Sequence, residues 1–256
     1  MKKTAMLVVL FLVLAILAFI IIGQLDFSSF SSGGLEKEVS GVEEPVVPDT
    51  EQEMREAIQQ DMEKGFLILV NKEKGLAKEY VPEDLAEISY FAKDRSPQWR
   101  KMRQEAVQAF HALCEDALEQ EMEIVVTTAY RSYDFQSSLY YSYVESRGQE
   151  WADRYSAKPG TSEHQTGLAA DCSSPSVGYQ LTSTFGDTPE GKWLAENAHR
   201  FGFIIRYPEG KEAITGYNYE PWHIRYVGVL SAEQIYTKGI TLEEWLGEFA
   251  LEQGEE

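Results

Sequence analysis

Cysteine and histidine are scarce in this 256-residue chain, and positive charge is outnumbered. Two cysteines without C-x-x-C spacing cannot build a thiolate zinc ribbon or a disulfide-stapled miniature domain. Four histidines, His111, His164, His199 and His223, limit any imidazole site to those positions. No glycine-rich phosphate loop follows a predicted strand, which removes the nucleotide-binding α/β reading. Lys and Arg total 23 against 42 Asp and Glu, a net charge of −19. That excess excludes general affinity for DNA, RNA or an anionic bilayer surface, so no nucleic-acid partner is expected. Composition is otherwise ordinary, 43% hydrophobic and 25% charged. Disorder throughout is therefore excluded, and the chain is long enough for one domain with a real core.

What is present begins with the run AMLVVLFLVLAILAFIII, Ala5 to Ile22, which no charge or proline interrupts. As a helix at about 1.5 Å per residue it reaches roughly 27 Å, enough for a hydrocarbon core. The run closes on IIIGQLDF without an A-x-A-like cleavage pattern, so the expectation is an uncleaved signal anchor. No cysteine follows it, which disfavours a lipoprotein. Lys2 and Lys3 should stay in the cytoplasm, making this a single-pass cell-membrane protein with an extracytoplasmic domain. Residues 1–23 are then stub and anchor, and the Ser/Gly/Glu/Pro-rich 24–49 a flexible tether. Residues 50–256 form the folded domain, expected to be monomeric.

Within that domain, Thr50 and Glu53 predict a capping box. FLILV (66–70) reads as a strand. Ser96-Pro97 predicts the start of a helix whose apolar stripe (Met102, Ala106, Phe110, Leu113, Ala117) runs to about Glu119. EIVVTTAY (123–130) is a β-branched strand followed by a Ser132-capped helix, and GLAADC (167–172) a short strand. Pro189 to Arg200 is a helix closed by Gly202. FIIRY (203–207) and WHIRYVG (222–228) are strands, and Thr241 with Glu244 boxes a last helix. Short strands joined irregularly, with helices between, predict an α+β fold: a small, largely antiparallel sheet covered by helices.

Two segments concentrate the possible chemistry. SEHQTGLAAD carries His164 and Asp171, and EPWHIRYVG carries Glu220 and His223. A catalytic zinc needs three N or O ligands and one open position, which His164, Asp171 and His223 satisfy, leaving Glu220 as a base. In an ideal strand positions i and i+3 face opposite sides, so a bend at Pro221 is needed to bring Glu220 and His223 together. Residue types alone leave a purely structural reading open beside the zinc one.

The same segments show S-x-H-x-x-G-x-A-x-D and E-x-W-H, and so resemble VanY-type D-alanyl-D-alanine carboxypeptidases. These belong to the LAS zinc peptidases, named for lysostaphin, D-Ala-D-Ala peptidases and sonic hedgehog. The likeness extends through LVNKEKGLAKEYVPEDL (69–85), AYRSYDFQ (129–136) and FGFIIRYPEGK (201–211). It implies a hedgehog/DD-peptidase-like fold, Zn2+ held by His164, Asp171 and His223, and Glu220 as the base that activates water. It further implies Arg131 binding and stabilising the substrate near the scissile bond, with Gln136 and Ser162 in the substrate pocket. The implied reaction releases the C-terminal D-alanine of a peptidoglycan stem peptide. An L,D-carboxypeptidase, an endopeptidase or dipeptidase of the same group, and a non-catalytic peptidoglycan-binding or sensory module remain as alternatives. Retention of Glu220 and Arg131 beside three ligands favours an enzyme.

Other scarce residues take plainer readings. His111 inside its helix and His199 near a helix end are structural or solvent-facing. Tyr140, Tyr141 and Tyr143 read as packing at helical spacing in preference to a sugar platform. Cys114 and Cys172 are either two buried thiols or, outside the cytoplasm, a disulfide closing a long loop.

Overall fold

Capping chemistry sets the first helix of the computed structural model, which describes residues 50–254. Thr50 Oγ1 accepts the Glu53 amide, and the Glu53 carboxylate takes the Thr50 amide in return, opening α1 (Glu51–Glu63). The apolar run Ala5–Ile22, expected as an anchor, and the 24–49 tether lie outside the described residues. Among the described residues no helix is long and apolar enough to cross a membrane.

The architecture is α+β. A two-stranded antiparallel ribbon pairs β1 (Leu85–Glu87) with β2 (Lys101–Arg103). Then follow α2 (Gln104–Glu119), β3 (Val125–Thr128), α3 (Tyr133–Arg147) and α4 (Gln149–Tyr155). Next come β4 (Ala169–Ser173), α5 (Pro189–Asn197), β5 (Phe203–Tyr207) and α6 (Glu212–Thr215). The order ends with β6 (Glu220–Tyr226), α7 (Val229–Lys238) and α8 (Leu242–Gln253). The main sheet is antiparallel throughout, with strand order β3-β4-β6-β5.

Side-chain alternation divides the two faces of this sheet. Val126, Ala170, Cys172, Phe203 and Ile224 join Phe110, Leu113, Cys114 and Ala117 of α2 in one buried cluster. Asp171, Arg206, His223 and Arg225 occupy the intervening positions, so the polar site forms on the other face. A second cluster packs Ile58 of α1 and Ile204 of β5 against Ala232, Ile235, Trp245 and Phe249 of α7 and α8. Cys114 and Cys172 are both buried and both free thiols, which settles the choice left by their count.

Two expectations are corrected. FLILV forms no strand, because its carbonyls are spent elsewhere: Phe66 and Ile68 both accept from the buried Arg225 guanidinium, at 2.9 and 2.8 Å. The helix expected from Pro97 starts at Gln104. Pro97–Trp99 is a 3₁₀ turn and Ser96 makes no side-chain cap bond. Residues 101–103 pair with β1 instead, so ladder bonds replace the first helical turns.

Candidate active site

Sheet register assembles the centre of the site. Asp171 on β4 is the cross-strand partner of His223 on β6, and its Oδ1 lies 3.1 Å from His223 Nδ1. The single-residue bulge in β3 between Val126 and Thr128 still places Thr128 opposite Asp171. In β6 the pairing steps from Ile205↔Ile224 to Tyr207↔Glu220, which leaves two extra residues on β6 around Pro221. Bulges tolerate proline and re-aim side chains. The result is that Glu220 and His223 face one cavity, with Oε2 and Nδ1 3.7 Å apart.

His164 arrives from a 3₁₀ turn, Glu163–Thr166, that ends on Gly167 at φ +69°. A Cβ at Gly167 would also stand 2.9 Å from a Leu85 methyl, so both backbone and space require glycine there. His164 Nδ1 lies 2.6 Å from the Ala129 carbonyl. It must donate to that oxygen, which leaves the Nε2 lone pair free in the neutral ring. Nε2 then lies 3.4 Å from Asp171 Oδ2.

Arg131 follows β3, with its amide donating to the His164 carbonyl at 3.2 Å. Its guanidinium comes within 4.0 Å of Asp171. Gln136 on α3 donates to the Ala157 carbonyl at 2.8 Å. Its buried Oε1 has no hydrogen-bond partner and is left for another group. Ser162 is also buried. A cleft of roughly 130 Å³ is lined by Arg131, Gln136, Ser162, Tyr217, Glu220 and His223, among others. The expected site residues therefore gather in one place: all but Asp171 line this cleft, and Asp171 adjoins it through His223.

The remaining histidines do not join it. His111 Nε2 accepts the Ser89 amide at 2.9 Å, and His199 stacks on Tyr236 at 3.7 Å between ring centroids. Tyr140 is buried and Tyr141 exposed, and Tyr143 packs on Trp151 while lining the cleft with Leu139 and Tyr155.

Electrostatics push the four groups at the centre in opposite directions. Burial, then Arg131, lowers the His164 imidazole to about 4. Burial alone would also lower His223, but the adjacent Asp171 and Glu163 carboxylates outweigh it and raise it to about 9. Burial would raise Asp171, yet the two histidines hold its carboxyl far below the usual range. Glu220 is pushed up to about 7, chiefly by burial, with His223 opposing.

One donor atom from each of His164, Asp171 and His223 falls within 4.8 Å of the others. His164 Nε2 and Asp171 Oδ1 are buried without a hydrogen-bond partner. Two neutral-capable imidazoles and a carboxylate around such orphaned atoms suit a borderline-soft divalent ion.

Sequence reasoning missed Glu163, although it sits inside the His164 motif. It is wholly buried and bridges Arg206 and Arg225. Burial would raise its carboxyl, and the two guanidiniums outweigh that and hold it well below the usual range. The signal was the isolated arginine in each of two apolar strands, FIIRY and WHIRY, since charge inside a core strand needs a counter-charge.

Residues 99–229 match the family described as VanY, D-alanyl-D-alanine carboxypeptidase. YodJ of Bacillus subtilis is 44% identical over 182 residues, spanning 71% of this chain and 67% of YodJ. A D-alanyl-D-alanine carboxypeptidase of Enterococcus faecium is 36% identical over 191 residues, spanning 71% of this chain and 57% of that enzyme. Among solved structures, the LdcB LD-carboxypeptidase superposes with TM-score 0.69 at 44% identity, over 71% of this chain and 86% of LdcB. A vancomycin-resistance D,D-pentapeptidase VanY variant in complex with Zn(II) gives TM-score 0.58 at 34% identity, over 70% of this chain and 98% of the other. On these matches, the chain belongs to the VanY family of D-alanyl-D-alanine carboxypeptidases.

Proposed function

We propose that this protein is a zinc-dependent carboxypeptidase that removes the C-terminal D-alanine from peptidoglycan stem peptides. The observation that carries the reading is the convergence of three buried donors, from His164, Asp171 and His223, with the Glu220 carboxylate at their edge. The Zn(II) in a VanY relative supports the choice of metal. His164 through Nε2, Asp171 through its carboxylate and His223 through Nδ1 would hold the ion. Bound there, zinc supplies Lewis-acid polarisation of a carbonyl and eases ionisation of water.

The protein's own groups do the rest. Glu220, whose burial favours proton uptake near neutrality, accepts a proton from water as its oxygen attacks the peptide carbonyl carbon. The same carboxyl returns that proton to the leaving nitrogen as the C–N bond breaks, releasing free D-alanine and the shortened peptide. Arg131 adds fixed positive charge beside the attack, where negative charge develops, or grips the terminal carboxylate. Gln136 Oε1 and Ser162 offer polar contacts to the departing residue. The small size of the cleft, lined by Gln136 and Ala157 among others, supports release of one small residue. The extracytoplasmic location and the anchor at Ala5–Ile22 belong to the same proposal.

A second reading concerns the bond cut. The higher identity and TM-score to LdcB than to the VanY structure support an L,D bond, the one present in a tetrapeptide stem. Incubation of the full-length chain and zinc with pentapeptide and tetrapeptide stems, followed by mass spectrometry, tests both. Loss of one alanine from the pentapeptide shows D,D cleavage, and from the tetrapeptide L,D cleavage. Loss from neither overturns the enzyme reading in favour of a binding module.

A further inference from the structure

Glu163 takes no part in the chemistry described above, yet the fold spends three charged side chains on fixing it. Its Oε1 accepts from Arg206 Nε and from Arg225 Nη1, each at 2.7 Å. Arg206 turns its other two nitrogens onto both oxygens of Glu243, at 2.8 and 2.6 Å. Arg225 is pinned by the Phe66 and Ile68 carbonyls. Such a bracket fixes a carboxylate's direction as well as its charge.

Only Oε1 is used in that bracket. Oε2 is buried, has no hydrogen-bond partner, and lies 3.4 Å from His223 Nε2, which is equally buried and unpartnered. The opposite edge of the same ring, at Nδ1, faces Asp171 and Glu220. A neutral imidazole carries one proton, and the nitrogen without it is the one able to ligate.

We propose that Glu163 is the positioning residue for His223: its Oε2 accepts a hydrogen bond from Nε2–H, which keeps the proton on that nitrogen and leaves the Nδ1 lone pair for the metal. Glu243 shares in this through Arg206, so the last helix, α8, becomes part of the frame of the metal site although it lies beyond the matched residues 99–229. A carboxylate serving only to neutralise two arginines has no need of an oxygen turned to the histidine. The inference rests on the zinc reading.

The test uses the full-length chain, stripped of metal and titrated with Zn2+ against a chromophoric chelator. Circular dichroism checks that each variant is folded. Glu163→Gln removes the charge. Glu163→Asp keeps the charge between the arginines but withdraws it from His223, which guards against failure of the first variant to fold. Loss of a carboxylate partner behind a ligating histidine typically weakens metal affinity about 10–100-fold. That loss is expected for the folded Glu163→Asp protein, with an altered visible spectrum of its Co2+ form. Glu243→Gln should show a smaller loss in the same direction. Wild-type Zn2+ affinity and Co2+ spectrum in folded Glu163→Asp overturn the positioning role alone. Failure of the wild-type chain to bind Zn2+ overturns the metal reading with it.

Discussion

Asp171 and His223 stand directly opposite one another on antiparallel strands, with Oδ1 and Nδ1 3.1 Å apart. Two of the three candidate ligands are thus delivered by sheet register, and only His164 depends on a loop. Zinc should therefore report on the folded sheet. With free Zn2+ at 100 times its Kd, linkage adds about 2.7 kcal/mol to the stability of the native protein. Thermal melts with and without Zn2+ should show that rise in Tm for the wild type. The His223→Ala protein should show none, and an equal rise there contradicts the ligand assignment.

Glu220 shares the cavity with His223 but is assigned proton transfer rather than ligation. Glu220→Gln keeps its size and its place opposite Tyr207. General-base removal should lower kcat on a stem peptide by about 10²–10⁴-fold. Chelator competition should give Zn2+ affinity within a few-fold of wild type. A zinc-loaded variant with unchanged turnover removes Glu220 from the mechanism.

Features encoded in short local motifs were legible in the sequence, and those made by distant partners were not. His164, Asp171, His223, Glu220, Arg131, Gln136 and Ser162 could be read because their spacing is tied to short motifs; all but Asp171 line the one cleft, and Asp171 adjoins it through His223. Capping boxes at Thr50 and Thr241 and the strand FIIRY were equally local, and the structure shows all three. The ribbon β1–β2 was invisible because its pairing is made across the 3₁₀ turn at Pro97, not by apolar alternation. FLILV misled because hydrophobicity describes burial, and Phe66, Leu67 and Val70 are buried without any ladder. Glu163 was hidden because its partners, Arg206 and Arg225, lie 43 and 62 positions away. Only the fold brings such charges together.

Cys114 and Cys172 give a separate check on the core. Both are buried and free, and Cys114 Sγ lies 3.5 Å from the Ile124 carbonyl. Burial pushes both thiols up, so neither is a ready nucleophile. A thiol reagent should find no reactive group in the native protein and two in denatured, unreduced protein. Detection of a disulfide in the unreduced sample contradicts the structure. Cys172→Ser should cost about 1–3 kcal/mol in urea unfolding, since its hydroxyl enters an apolar cluster.

Asp61 offers a pH dependence removed from the active site. It lies on α1 against the backbone before α7, so close that a Cβ on Gly228 would collide with its Oδ2. Burial raises its carboxyl to about 6, with Lys64 lowering it and Glu105 raising it. In the unfolded chain the value returns to about 3.9. Between about pH 4 and 6 the folded protein therefore binds more protons than the unfolded chain. The linkage slope is negative there, so this group's contribution to stability falls as pH rises through that window and stays lower above it. Asp61→Asn keeps the shape and removes the charge. Discounted for the group's partial solvent screening, the gain at pH 7.5 is about 1 kcal/mol, with none at pH 4. Urea midpoints of both proteins at the two pH values measure it. An asparagine variant less stable than wild type at pH 7.5 shows that the ionised carboxylate is held by favourable contacts instead.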